Sequence, residues 1–331
     1  MFIKTNSNNQ LYSLGCFCSY QIVPYSTSSD LDTKELSDKL NNLESNTFQS
    51  AGNLTGSSET IRKLSDKEIE WLAGVLDGDG NFDIQNLKSS SGKIKRTLKQ
   101  IRITQHPRDA DILARVKYLL GGSIKPKGNR YILWTISTKK LMFNCISLIN
   151  GHMRLKIPGF KESCELLGVT YKEADYIIKE DSAYLAGLTD TDGSVVFNHP
   201  GNKIVLTLEF QQNEFSEKLD LSQVVQGAKP SVFELDKRNQ TKDKVFFSKR
   251  IIYDNVAHMP HIYQYFLKNR LYSNFKFFRV TKIKEFLDLR HFNKHPENSP
   301  EFKLYHAFIT NYFKHLNESK PLPAYISSKK K

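Results

Sequence analysis

The sequence predicts an α+β protein built from two similar αββαββα halves. Three observations predict it. The ten residues WLAGVLDGDG at 71–80 return as YLAGLTDTDG at 184–193, 113 positions further on. Each copy reads as a helix behind a polar cap. Each is followed by two segments with strand-like alternation and then by further strands and helices.

Ser65, with Glu68 three residues later, makes a capping box for the first helix, and Asp181 or Ser182 can cap the second. Strands are expected next over 81–85 and 194–198, then over 97–105 and 203–212. In the last of these Ile204, Leu206, Leu208 and Phe210 point one way. Lys203, Thr207, Glu209 and Gln211 point the other, with Val205 the exception. In the first half Ile101 and Ile103 face in, while Gln100, Arg102 and Thr104 face out. A helix over 110–120 is stopped by Gly121 and Gly122. Strands over 123–127 and 130–136 follow, joined by Gly128 and Asn129, and then a helix over 139–149. The second half continues with strands over 231–236 and 244–249. Helices are expected near 260–267, 276–289 and 301–316. One face of each four-stranded sheet is apolar and must be covered by helices. The other is polar and basic and can stay wet or meet a ligand.

A chain of 331 residues can bury a sizeable core. The net charge is +13, but residues 1–60 carry −3, so the body carries +16. Charge of that sign suits a polyanionic partner, because Lys and Arg neutralise phosphates and release counterions. A basic surface serving solubility alone is the other reading of composition. Residues 1–60 are rich in Ser, Asn and Gln, with one short amphipathic stretch over 36–43, and are expected to form a largely disordered leader. The first repeat is expected over 61–178, the second over 179–318, and a basic tail over 319–331. Residues 1–29 lack acids, as an organelle transit peptide does, but hold one Lys and no Arg. An in-frame leader is an equal reading.

Cys16, Cys18, Cys145 and Cys164 show no CxxC spacing and read as free thiols in a reducing compartment. His258 and His261 do not read as a helical zinc pair, because Pro260 between them opens a helix. The apolar run over 11–23 is too short to span a membrane.

The repeated helix carries the chemistry. Ala73, Gly74 and Gly78, matched by Ala186, Gly187 and Thr191, are small and allow two helix backbones to approach closely. The aspartates need another reason. Asp79 and Asp192 each precede a helix-stopping glycine, at the negative end of the helix dipole, where an anion is disfavoured. If the two helices pair, two carboxylates meet at two negative poles and call for a cation. A divalent metal with oxygen ligands, Mg²⁺ in a cell, is the natural answer. Asp77 and Asp190 lie half a turn away and are expected to make capping or structural hydrogen bonds. A calcium loop over 77–88 fails, because Phe82 stands at its sixth position and Lys88 at its twelfth.

The nonapeptides at 72–80 and 185–193 resemble the two signature helices of monomeric LAGLIDADG homing endonucleases and their intron-maturase relatives. The resemblance covers roughly residues 65–318. It implies two pseudo-symmetric halves whose sheets form a saddle over the major groove of double-stranded DNA. It implies a monomer that cuts both strands of a long site, with group I intron RNA as the alternative partner, no membrane, and a mitochondrial or chloroplast home. The metal-ligating acids fall on Asp79 and Asp192, assisted by the carbonyls of Gly78 and Thr191. A basic residue just before the closing helix of each half falls on Lys156 in the first. In the second, the register puts Phe275 at that position with Lys276 beside it, which implies uneven cutting of the two strands. Base readout from the wet strand faces is expected from Asn81, Asp83, Gln85, Gln100, Arg102, Thr104, Ser194, Asn198, Thr207, Glu209 and Gln211. Phosphate contacts are expected from Lys125, Lys127, Arg130, Lys203, Lys237, Arg238, Lys242 and Lys249.

Overall fold

The computed structural model describes residues 63–88, 94–128, 130–239 and 244–314. The expected leader, Cys16, Cys18, Lys242 and the basic tail lie outside the described residues.

Helix α1 (Asp66–Asp79) starts as its sequence dictates. The Ser65 hydroxyl accepts from the Glu68 amide, and the Glu68 carboxylate accepts from the Ser65 amide at 3.0 Å. Strands β1 (Gly80–Lys88) and β2 (Ile94–Gln105), helix α2 (Ala110–Leu120), β3 (Ser123–Lys127), β4 (Tyr131–Ile136) and helix α3 (Lys139–Ile149) follow. Helix α4 (Ile157–Leu167) closes the first half. It is the closing helix that the resemblance implies after Lys156, and its Pro158 sits in the first turn, where the missing N–H costs nothing.

The second half opens with α5 (Tyr184–Thr191) and runs through β5 (Gly193–Asn198), β6 (Lys203–Gln211), a short α6 (Glu214–Lys218), β7 (Ser231–Asn239) and β8 (Lys244–Tyr253). It ends in α7 (Met259–Lys268), α8 (Asn274–Thr281), α9 (Ile283–Leu289) and α10 (Pro300–Lys314). The single helix expected over 276–289 is two helices that meet at Lys282. Of the two caps expected for α5, Asp181 turns instead to Lys268, 2.7 Å away, whereas the Ser182 hydroxyl accepts from the Tyr184 amide at 3.3 Å, with Ala183 at the capping position itself. The Ala183 amide is taken by the Glu70 carboxylate of α1 at 3.0 Å.

Each sheet is antiparallel and four-stranded, in the order β1-β2-β4-β3 and β5-β6-β8-β7. The inward residues match the alternation in the sequence. Ile101, Ile103, Ile132 and Trp134 of the first sheet join one core with Leu206, Leu208, Ile251 and Tyr253 of the second. Helices cover those inner faces, so the outer faces stay open. Among the described residues no helix is long and apolar enough to cross a membrane.

The halves are joined by α1 against α5, backbone on backbone. A Cβ on Gly74 would collide with the Tyr184 carbonyl, and one on Gly187 with the Trp71 carbonyl. Glycine is required at both places because a methyl would push the helices apart.

Candidate active site

The helix pair fixes where the acids lie. Asp77 and Asp190 are buried, 2% and 1% exposed, and act as anchors. Asp77 accepts from the amides of Arg154, Leu155 and Lys156 at 2.7, 2.9 and 3.0 Å, and from the Tyr184 hydroxyl at 2.7 Å. Asp190 accepts from the amides of Tyr272 and Ser273 at 3.0 and 2.8 Å, and from the Trp71 indole at 2.8 Å. Each anchor therefore holds the chain entering a closing helix of its own half. Each also takes a proton donor from the first residue of the other half's motif. The structural role expected for this aspartate pair is what the contacts give.

That anchoring delivers a lysine to the end of each motif helix. Lys156 Nζ donates to the carbonyls of Gly78 and Gly80, the latter at 2.6 Å. Lys276 Nζ donates to the carbonyls of Thr189, Asp190 and Thr191 at 2.8, 2.7 and 3.0 Å. A cation at a helix C-terminus satisfies orphan carbonyls and opposes the dipole. Both ammonium groups are pushed below the ordinary lysine range by burial, opposed by the surrounding aspartates. The two halves thus have equivalent lysines. Lys156 reaches from the residue that precedes α4, whereas Lys276 reaches from inside α8. Phe275, which the sequence register put in the lysine's place, lies between two guanidinium groups. Arg108 is 4.5 Å and Arg279 4.0 Å from its ring centre, so it ties the first half to the second.

Asp79 and Asp192 sit at the ends of the paired helices. The Asp192 carboxylate lies 3.2 Å from where a Gly78 Cβ would stand, so it reaches across to the first motif. Asp192 opens to solvent, yet protein surrounds it enough to matter. Its carboxyl is pushed up to about 6, first by lost hydration and next by the Asp79 charge, against the pull of Lys156 and Lys276. The Asp79 carboxyl is also raised by burial, and opposed by Lys156 and by a hydrogen bond from Gln105 Nε2 at 2.7 Å.

These donors are all oxygen, a set that suits Mg²⁺ or Ca²⁺. Each carbonyl of Gly78 and Thr191 accepts from one lysine and keeps a second lone pair. Among the described residues no group of three or more His, Cys, Asp or Glu side chains could hold a metal. Two carboxylates, carbonyls and water make up the set on offer.

The amide of Gln105 was missed in the sequence. It stands at inward parity with Ile101 and Ile103, and a lone amide there was the available signal. At the matching place on β6 stands Phe210, which joins the core.

The outer sheet faces hold most of the expected readers. Asn81 Oδ1 accepts from Arg102 Nε at 3.1 Å. Asp83 accepts from Gln100 at 2.9 Å and Gln85 at 3.1 Å. Thr104 and Thr207 also face out, as do Ser194, Glu209 and Gln211. Glu209 is engaged by Ser248 at 2.9 Å and by Arg250 at 2.8 Å. Arg250 is a basic group the sequence reading passed over, although its register opposite Glu209 follows from alternation. Asn198 is spent on its own turn, accepting from the Gly201 amide at 2.9 Å. Lys125, Lys127 and Arg130 are exposed around the β3–β4 connection. Lys203 is paired with Asp254 at 2.6 Å.

Lys249 requires a correction. It lies at inward parity and is 9% exposed, and its ammonium caps α6 through the carbonyls of Ser216, Glu217 and Leu219 at 2.8, 2.9 and 3.1 Å. It is a helix cap, not a phosphate ligand. Lys237 and Arg238 lie on β7.

Residues 72–156 match the family model described as LAGLIDADG endonuclease. The chain is similar to the intron-encoded RNA maturase bI4 of Saccharomyces cerevisiae, 32% identical over 135 residues, covering 40% of this chain and 20% of that protein. It is similar to the intron-encoded DNA endonuclease ai2a of Dictyostelium discoideum, 26% identical over 232 residues, covering 70% of this chain and 69% of that protein. The chain thus spans a fifth of the length of one relative and about two thirds of the other. Among solved structures it is similar to the I-SmaMI LAGLIDADG homing endonuclease bound to cleaved DNA, at 14% identity and a TM-score of 0.46, over 78% of this chain and 97% of that one. Residues 72–156 thus carry a match to the LAGLIDADG endonuclease model, and the motif of that stretch returns at 185–193 at the head of a second sheet of the same strand order.

Proposed function

We propose that this chain is a monomeric, Mg²⁺-dependent, site-specific endonuclease that cuts both strands of DNA at an intron insertion site. One observation carries the reading. Two helices packed backbone on backbone bring Asp79 and Asp192 together, with Lys156 and Lys276 at the same helix ends. Such a site would hold divalent metal through the two carboxylates, with the Gly78 and Thr191 carbonyls beside them. Bound metal supplies an activated water and neutralises charge at the phosphodiester. The protein's own part is positional. Asp77 and Asp190 fix the chain that carries the lysines, and the lysines hold the carbonyl ends of the helices. Gln105 orients the Asp79 carboxylate. The outer strands present Gln100 and Arg102 to base edges, and Lys125, Lys127 and Arg130 to phosphates. The place that goes with an intron-borne protein of this kind is the mitochondrion.

A second reading, an RNA maturase that assists splicing of its intron, is favoured by the likeness to the maturase bI4. One assay separates the two. Purified protein is incubated with DNA carrying the intronless insertion site, in Mg²⁺ or EDTA, beside the Asp79→Asn/Asp192→Asn variant. The nuclease reading expects Mg²⁺-dependent double-strand cleavage that the variant loses. No cleavage, with retained binding to the intron RNA by both proteins, would select the maturase reading.

A further inference from the structure

The two outer sheet faces differ at equivalent positions. Next to Asp79 the first sheet is polar and interlocked, with Asp83 directly opposite Gln100 and Arg102 directly opposite Thr135. Next to Asp192 three of these four positions are apolar. Val196 stands where Asp83 does, its partner Val205 where Gln100 does, and Ile252 opposite Thr207 where Thr135 does. Val196 is 39% exposed, whereas Val205 is 7% exposed and supports it from the side. These aliphatic groups point away from the helices of their own chain.

A duplex that reaches Asp192 must run over this patch, because β5 begins at the next residue. Val196 is four residues beyond Asp192, roughly 13 Å along a strand. At a rise of 3.4 Å per base pair, that is about four base pairs. The thymine C5-methyl is the apolar group on the major-groove edge. Charged neighbours bound the patch, namely the Glu209–Arg250 pair at 2.8 Å and the Lys203–Asp254 pair at 2.6 Å, which leaves it small for a protein partner.

We propose that the second repeat reads thymine methyl groups through Val196 and Ile252, whereas the first repeat reads its half-site by hydrogen bonds from Gln100 and Arg102 set by Asp83. The inference rests on the reading of the chain as a DNA-site protein. It assigns each half-site a different chemistry. The second half-site carries thymine about four base pairs from the cleavage centre. RNA, whose uracil lacks the methyl, would gain nothing from these aliphatic groups.

The test is selection of randomised DNA duplexes by binding in EDTA, followed by replacement of each selected thymine with deoxyuridine. Thymine should be enriched under the second repeat. Deoxyuridine there should weaken binding about fourfold per methyl, the equivalent of one buried CH₂-sized group, and change little under the first repeat. Val196→Ser, at an exposed position, should keep the wild-type melting temperature and erase the deoxyuridine effect at the thymine it faces, while the effect at the thymine under Ile252 remains. Asp83→Asn should alter base preference under the first repeat and leave that effect intact. A selected site whose second half is indifferent to deoxyuridine would overturn the inference and leave the endonuclease reading standing. Failure to select any duplex, with tight binding to intron RNA, would overturn both.

Discussion

The two repeats agree at the floor of the site and disagree on its walls. On the floor, Asp77 pairs with Tyr184 and Asp190 with Trp71, and Lys156 and Lys276 each close the carbonyl end of a motif helix. On the walls, Asp79 has Gln105 at 2.7 Å, whereas Phe210 stands at the equivalent place in the second half. The outer faces diverge in the same way, polar in the first sheet and partly aliphatic in the second. The difference separates two demands. A floor that joins two helices and gathers like charges tolerates one solution, so both halves use it. The outer surfaces, which on the proposed reading meet an asymmetric DNA site, are free to diverge.

The largest expected effect tests the shared floor. Lys276→Met leaves three carbonyls at the end of α5 without their donor, and each buried polar group left unpaired costs about 1–3 kcal/mol. The melting temperature should fall clearly. Cleavage should fall by about 10²-fold, the order seen when one charge-stabilising donor is removed. Lys156→Met, which frees two carbonyls and a less buried site, should cost less stability for a similar loss of cleavage. Thermal melts beside single-turnover cleavage would check the ranking. Equal melting temperatures for both variants would break it.

A smaller effect sharpens the walls. Gln105→Ala removes the side chain that, among the described residues, donates to the Asp79 carboxylate. It should slow cleavage of one strand about tenfold and leave the other near its starting rate, since Phe210 offers Asp192 nothing to lose. Strand-specific end-labelling would read this.

The smallest effect concerns stability and pH. The folded Asp192 carboxyl titrates at about 6, above its unfolded value, so the folded state binds the proton more tightly. Its stabilising contribution is full below pH 4 and is lost as pH rises through about 6. In EDTA at neutral pH, Asp192→Asn should therefore melt at or above the wild-type temperature, while losing the rise that Mg²⁺ gives the wild type. A variant that melts lower in EDTA would show that the charged Asp192 stabilises the fold without metal.

Much of this was legible in the sequence, for definite reasons. The repeat put two aspartates beside two helix-stopping glycines, and strand alternation assigned Arg102, Gln100 and Glu209 to the open face. What escaped lay at inward parity with a polar head. Gln105 and Lys249 both occupy core positions on their strands, and both satisfy buried partners that only the folded chain brings near. Lys276 escaped a correct register because the second half spaces its lysine 84 residues after Asp192, against 77 between Asp79 and Lys156. Helix α4 followed only from the resemblance, because its first turn contains Pro158 and Gly159, which read as a break.

On the proposed reading the two repeats share one metal-binding floor and differ in their walls, and strand-resolved cleavage of the insertion site probes both properties at once. The wild type in Mg²⁺ should cut the two strands at different rates, the Asp79→Asn/Asp192→Asn variant should cut neither, and Gln105→Ala should shift the ratio by slowing one strand. Equal rates on both strands that Gln105→Ala leaves equal, or cleavage that survives loss of both aspartates, would contradict it.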